Sequence, residues 1–161
     1  MTTQAAREPA DLEPVGPAPF VAHVVRPMTK VLNPLIRKFA GRRNFRMAAQ
    51  IRHVGRRSGR SYVTPATARV AGDLIVVPLS FGSRSDWVRN VLADDGCEIR
   101  LDGRDYVAVN PRLMTVADAW PVLEAAFTPG QRKGFKVLGI QQVLYLDATQ
   151  AQAGSTPAQH P

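Results

Sequence analysis

Apolar positions fall into two rhythms along the chain. From Val21 to Phe39 they recur at helical spacing, through Val24, Val25, Met28, Val31, Leu32, Leu35 and Ile36. This predicts an amphipathic helix within residues 20–43 that stops near Gly41 and is shortened or bent by Pro27 and Pro34. Beyond it the rhythm shortens towards strands. "FRMAAQIRHV" (45–54) alternates in part, and the turn "GRRSGR" follows it. "SYVTPATARV" (61–70) is the next strand, where Pro65 calls for an edge or a bulge. After "AGD" comes a fully apolar run, Leu74 to Leu79, and these three strands read as an antiparallel meander.

The second half alternates between the two rhythms. "SDWVRNVLADDG" is helical, with Ser85 or Asp86 at its cap, Trp87, Val91 and Leu92 on one face, and Gly96 as its stop. "CEIRL" and "YVAVN" flank Asp102-Gly103, a strong hairpin signal. "TVADAWPVLEAAF" predicts a helix capped by Thr115 with Asp118 as partner, and "IQQVLYLD" (140–147) a closing strand. The outcome is an α+β domain, mainly β: a six-stranded antiparallel barrel, closed or half-closed, with flanking helices. Residues 20–148 form this single domain, between disordered tails expected at 1–19 and 149–161.

Charge changes the picture because of where it sits. The formal net charge is +8 over 161 residues. Between Pro14 and Gly72 there is no acidic residue, while Arg and Lys recur 12 times; from Asp73 onward there are 8 basic and 10 acidic residues. A cationic first half suits a polyanionic partner: nucleic acid, an anionic membrane face, or a phosphorylated or polycarboxylate ligand. The apolar stripe of 20–43 is flanked by Arg26, Lys30, Arg37, Lys38, Arg42 and Arg43, so it suits either the barrel core or the surface of an anionic bilayer.

The inventory of reactive side chains is short. One cysteine, Cys97, excludes an internal disulfide framework and a cysteine-built zinc site. His23, His53 and His160 have no ligand spacing, so no metal is expected. No apolar run reaches a membrane span and the N-terminus lacks a signal-peptide core, which makes a cytoplasmic protein the expectation. No nucleophile elbow, P-loop or dinucleotide fingerprint is present, and Asp94-Asp95 at a helix end belong to solvent. An enzyme of this kind needs a cofactor for its hard chemistry. In the turn, backbone N–H groups can form an anion-binding nest, and Arg56, Arg57 and Arg60 add fork-shaped donors. At "SFGSRSDW" a helix N-terminus follows the strand end, with Trp87 as an aromatic wall.

The succession "GRRSGR", "GDLIVVPLS", "DWVRNVLA", "GCEIRLDGR" resembles the deazaflavin-dependent nitroreductase-like family, from about Val31 to Leu146. The resemblance implies a split β-barrel that binds coenzyme F420. It implies that Gly55, Arg56, Arg57, Ser58, Gly59 and Arg60 hold the phosphate and acidic tail of the coenzyme. Pro78, Leu79 and Ser80 would lie along the deazaflavin ring, and Trp87, Asn90 and Ser83 would border the substrate. Ser85-Asp86 and Val88 stand where relatives often carry His-Pro and an aromatic.

By the same resemblance, a hydride passes from the reduced deazaflavin to an electron-poor small molecule: a quinone, a nitroaromatic or an activated alkene. The negative charge left on the acceptor must be stabilised, and Ser80, Tyr62 and Tyr106 are the nominated donors. FMN is the alternative cofactor, although the acid-free half favours the polyglutamate tail of F420. A nucleic-acid module would need more exposed aromatics than Phe45 and Tyr62. A lipid- or haem-binding protein without catalysis is the remaining alternative. The expected partners are therefore a small molecule, no nucleic acid and an optional anionic membrane, for a monomer or a homodimer.

Overall fold

Seven strands and three helices follow one another in the computed structural model, which describes residues 48–151. They are β1 (Ala49–Val54), β2 (Ser61–Ala66), β3 (Arg69–Ala71), β4 (Leu74–Pro78), α1 (Asp86–Ala93), β5 (Gly96–Leu101), β6 (Arg104–Thr115), α2 (Trp120–Ala126), α3 (Pro129–Val137) and β7 (Gln142–Gln150). The amphipathic helix expected in 20–43 and most of the expected C-terminal tail lie outside the described residues.

All strand pairs are antiparallel, in one sheet of order β2-β1-β5-β6-β7-β4-β3. Its two edges, β2 and β3, are separated along the chain by Thr67 and Ala68 only. Three Cα steps span at most about 11 Å, so the sheet must curl until its edges face one another. The result is the half-closed barrel expected, with one correction. The stretch 61–70 is not a single strand: its first part pairs with β1 and its last part with β4. A strand at the split of a barrel cannot keep both neighbours along its whole length, so it breaks and the count becomes seven. Pro65 stands on edge strand β2, where a missing N–H is tolerated.

The unbroken apolar run of β4 has a simple cause: it is covered on both faces. Ile75 and Val77 face inward with their partners Leu146 and Leu144, joining Ile51, Ile99 and Val91 in the barrel core. Val76 faces outward with Tyr145 and Val143, under Leu123, Phe127 and Phe135. Leu123 comes from α2 and Phe135 from α3, and Phe127 and Phe135 meet edge to face at 5.1 Å. Each such side chain contributes about 1.5–3 kcal/mol by burial.

Several boundaries differ from expectation. Helix α1 ends at its C-cap Asp94 and the left-handed residue is Asp95 (φ 54°), not Gly96. Gly96 instead opens β5, where a Cβ would lie 2.6 Å from the Ala108 carbonyl oxygen. Thr115 caps a turn: its hydroxyl accepts from the Asp118 N–H at 3.1 Å, and α2 starts only at Trp120. Helix α3 is new, although "TPGQ" carries its capping box, with the Thr128 N–H donating to Gln131 Oε1 at 3.0 Å. Gly130 and Gly134 dilute its helical signal. β7 runs to Gln150 because β6 extends far enough to pair Tyr106 with it, so residues 149 and 150, expected in the tail, belong to the strand. The Asp102-Gly103 turn is as expected, with both φ positive (52° and 76°).

A bulge in β6 between Val109 and Arg112 is fastened across to β7. Arg112 forks onto the Asp147 carboxylate and Asn110 Nδ2 donates to it at 3.0 Å. Among the described residues no helix is long and apolar enough to cross a membrane.

Candidate functional site

The β1–β2 turn is tied up internally. The Gly55 N–H donates to the Arg60 carbonyl at 2.8 Å, those of Gly59 and Ser58 to the Gly55 carbonyl, and that of Arg60 to Ser58 Oγ. The Arg56 N–H donates to Asn90 Oδ1 of α1 at 3.2 Å. Only the Arg57 N–H has no partner among the described residues. The expected backbone nest is therefore not available for an anion, because the turn consumes its own donors. An anion here can be met by side chains and by the single N–H of Arg57.

The arginines of the turn divide by role. Arg56 donates from Nη1 to Asn90 Oδ1 at 2.9 Å and from Nη2 to Asp86 Oδ1 at 3.0 Å. With a side chain 22% exposed, it clasps the turn onto α1. Arg57 has no ion pair or side-chain hydrogen bond to another described residue, and its guanidinium remains available to a ligand. Gly55 allows this packing: a Cβ there would lie 2.5 Å from Ser58 Oγ and 2.7 Å from the Tyr62 ring.

Between the turn, β2 and α1 opens a cavity of about 660 Å³, within the usual range for cofactor sites. Of the residues singled out in the sequence, Gly55, Arg56, Arg57, Ser58, Tyr62, Trp87 and Asn90 line it. Tyr62 is half exposed, with its hydroxyl 3.1 Å from Ser58 Oγ. Trp87 packs against the barrel core and also lines the cavity.

The other nominated residues do not line the cavity. Gly59 and Arg60 are exposed and are not among the residues that line it. Pro78 is buried at the end of β4 opposite Val143, Leu79 is in the barrel core, and Ser80 is half-buried after it. Ser83 is buried in the loop before α1. Tyr106 pairs with Ile99 and shares its inward face, which makes it a core ring.

Sequence reasoning missed His53, Thr64 and Asp86. His53 is 6% exposed and follows Ile51 on the inward alternation of β1, a polar residue on an apolar rhythm. Its Nδ1 lies 3.2 Å from Asn90 Nδ2, its Nε2 lies 3.0 Å from Thr64 Oγ1, and its ring stacks on Tyr62. Burial holds its pKa below the ordinary value of 6.5, so the ring is neutral at pH 7. Asn90 is an internal strut, its oxygen taken by Arg56 and its nitrogen by His53. Cys97 is no nucleophile: burial, aided by Asp94 and Glu98, pushes its thiol up to about 12.

Residues 35–124 match the family described as F420H(2)-dependent quinone reductase. The chain belongs to that family. It is accordingly an F420H2-dependent reductase, with F420 rather than FMN as its cofactor. No curated protein sequence matches the chain. Among solved structures, one titled "Structure of F420-H2 Dependent Reductase (FDR-A)" is 14% identical with a TM-score of 0.44, covering 63% of this chain and 94% of that one. Another, described as a domain-swapped dimer, is 14% identical with a TM-score of 0.45, covering 74% and 98%. A third, titled "F420 Reductase", is 11% identical with a TM-score of 0.39, covering 65% and 87%.

The residues present fit such a cofactor. The cavity has an uncommitted guanidinium at Arg57, the hydroxyls of Ser58 and Thr64, and the rings of Tyr62 and Trp87. This combination suits a ligand with a flat heterocycle and an anionic tail.

Proposed function

We propose that the cavity between the β1–β2 turn and α1 is the F420 site of this enzyme, and that a quinone is its acceptor. F420 in its reduced form supplies the hydride. The observation that carries the reading is the division of labour in the turn: Arg56 is committed to α1, while Arg57 has no counter-charge among the described residues. Arg57 would take the phosphate or the acidic tail as a charge-assisted fork, and Ser58 and Tyr62 would add neutral donors beside it. Arg60, exposed in the same turn, would raise the local potential without lining the cavity.

Trp87 would form the wall against which a flat acceptor lies. A membrane-soluble quinone also gives a use to residues 20–43, whose apolar stripe and six flanking cations suit the face of an anionic bilayer. The test separates acceptor from cofactor. Trp87→Ala is expected to lower kcat/KM for a soluble quinone about tenfold or more while changing the Kd for F420 less than about threefold. A variant that loses F420 affinity and keeps its quinone turnover would contradict this reading.

A further inference from the structure

A fixed chain of donors runs from the turn into the cavity and ends at a residue with no assigned role. Asn90 Oδ1 accepts twice from Arg56, from its backbone N–H and from Nη1, so the amide can be oriented in one way only. Asn90 Nδ2 therefore points at His53, 3.2 Å from Nδ1. An amide nitrogen is a donor only, so Nδ1 must offer its lone pair. The imidazole is then the neutral tautomer with its proton on Nε2, and that N–H donates to Thr64 Oγ1 at 3.0 Å. Protonation at Nδ1 would set one donor against another.

The consequence falls on Thr64. Its hydroxyl oxygen accepts a hydrogen bond from the His53 Nε2–H, and its own hydrogen has no acceptor among the described residues. Thr64 lines the cavity from β2, opposite Ile51. We infer that Thr64 is a ligand-contacting residue whose hydroxyl hydrogen, turned away from His53, is donated to a hydrogen-bond acceptor of F420. His53 and Asn90 are positioning residues that set its polarity. Accepting from His53 occupies one of the two lone pairs of the hydroxyl oxygen and commits the hydrogen away from the imidazole, which leaves it to donate to an acceptor on the ligand. The inference rests on the cavity being the F420 site, and it concerns a different residue from the cation that carries that reading.

The experiment has two readouts, neither of them turnover. Nitrogen-15 NMR of the ligand-free protein reads the His53 tautomer directly, and the expected result is a protonated Nε2 with an unprotonated Nδ1. F420 titration then compares the wild type with Thr64→Val, which keeps shape and removes the hydroxyl, and Thr64→Ser, which restores it. Thr64→Val is expected to raise Kd about five- to tenfold, the worth of one neutral hydrogen bond, and Thr64→Ser to recover most of the loss. A proton on Nδ1, or an unchanged Kd in a folded Thr64→Val protein, would overturn the inference. Arg57→Ala separates the two levels. If it weakens binding while Thr64→Val does not, the site stands and the role of Thr64 falls; if neither does, the site itself is misplaced and both fall.

Discussion

Asn90→Ala perturbs the joint on which the site is built. Asn90 is 6% exposed and serves three hydrogen bonds: two from Arg56 and one to His53. Truncation leaves the Arg56 N–H and His53 Nδ1 without partners, and a buried polar group so stranded costs about 1–3 kcal/mol. Arg56 keeps Asp86 and can recruit water at its exposed end, so the charged part of the loss is small. The expected cost is about 2–4 kcal/mol, a large share of a domain stability of about 5–15 kcal/mol. Urea unfolding of the two proteins, with equal slopes, measures it. A loss below about 0.5 kcal/mol would refute the reasoning, since Asn90 would then be a dispensable lining residue rather than a strut.

Other outcomes follow from the same geometry. His53 has a folded pKa below its ordinary 6.5, so the unfolded chain takes up a proton first. Stability should be full above that value and decline as pH falls towards the folded pKa, and His53→Leu should flatten this part of a Tm-versus-pH curve. Asp147 is held low, chiefly by hydrogen bonds from Arg112 and Asn110, so its contribution persists above the ordinary carboxylate range and is lost at more acid pH; Arg112→Ala should shift acid unfolding upward in pH. Cys97, with a thiol at about 12, should react with a disulfide reagent at pH 8 far more slowly than the unfolded chain does. Gly55→Ala should weaken F420 binding, because the new methyl group must displace Ser58 or the Tyr62 ring.

The barrel was legible in the sequence because its strands obey strong local rules. The Asp102-Gly103 hairpin, the doubly covered apolar run of β4 and the start of α1 after Ser85 all declare themselves within a few residues, although the Ser85 hydroxyl donates to the Gly82 carbonyl and does not cap the helix. The split of 61–70 into β2 and β3 was not legible, since it is imposed by closure of the sheet and no local signal marks Thr67 and Ala68. The same limit applies to the site. Its parts in the "GRRSGR" turn and at Trp87 could be named, yet which arginine is committed depends on Asn90 and Asp86, about 30 residues away. His53 has no metal-ligand spacing; what marks it is a polar ring on the inward rhythm of β1, and its register with Thr64 and Tyr62 gives that ring its partners.

The central claim is that F420 occupies this cavity with its anionic end on Arg57. Calorimetric titration of wild type and Arg57→Ala with F420, and with the deazaflavin lacking phosphate and tail, tests it most directly. Arg57 is exposed and makes no ion pair or side-chain hydrogen bond with a described residue, so the variant should remain folded. A charge-assisted hydrogen bond contributes about 1.5–3 kcal/mol, which predicts a 10- to 150-fold (roughly) rise in Kd for F420. The tail-less deazaflavin should bind both proteins alike, and more weakly than F420 binds the wild type. Equal F420 affinity in the two folded proteins, or an equal loss for both ligands, would contradict the account.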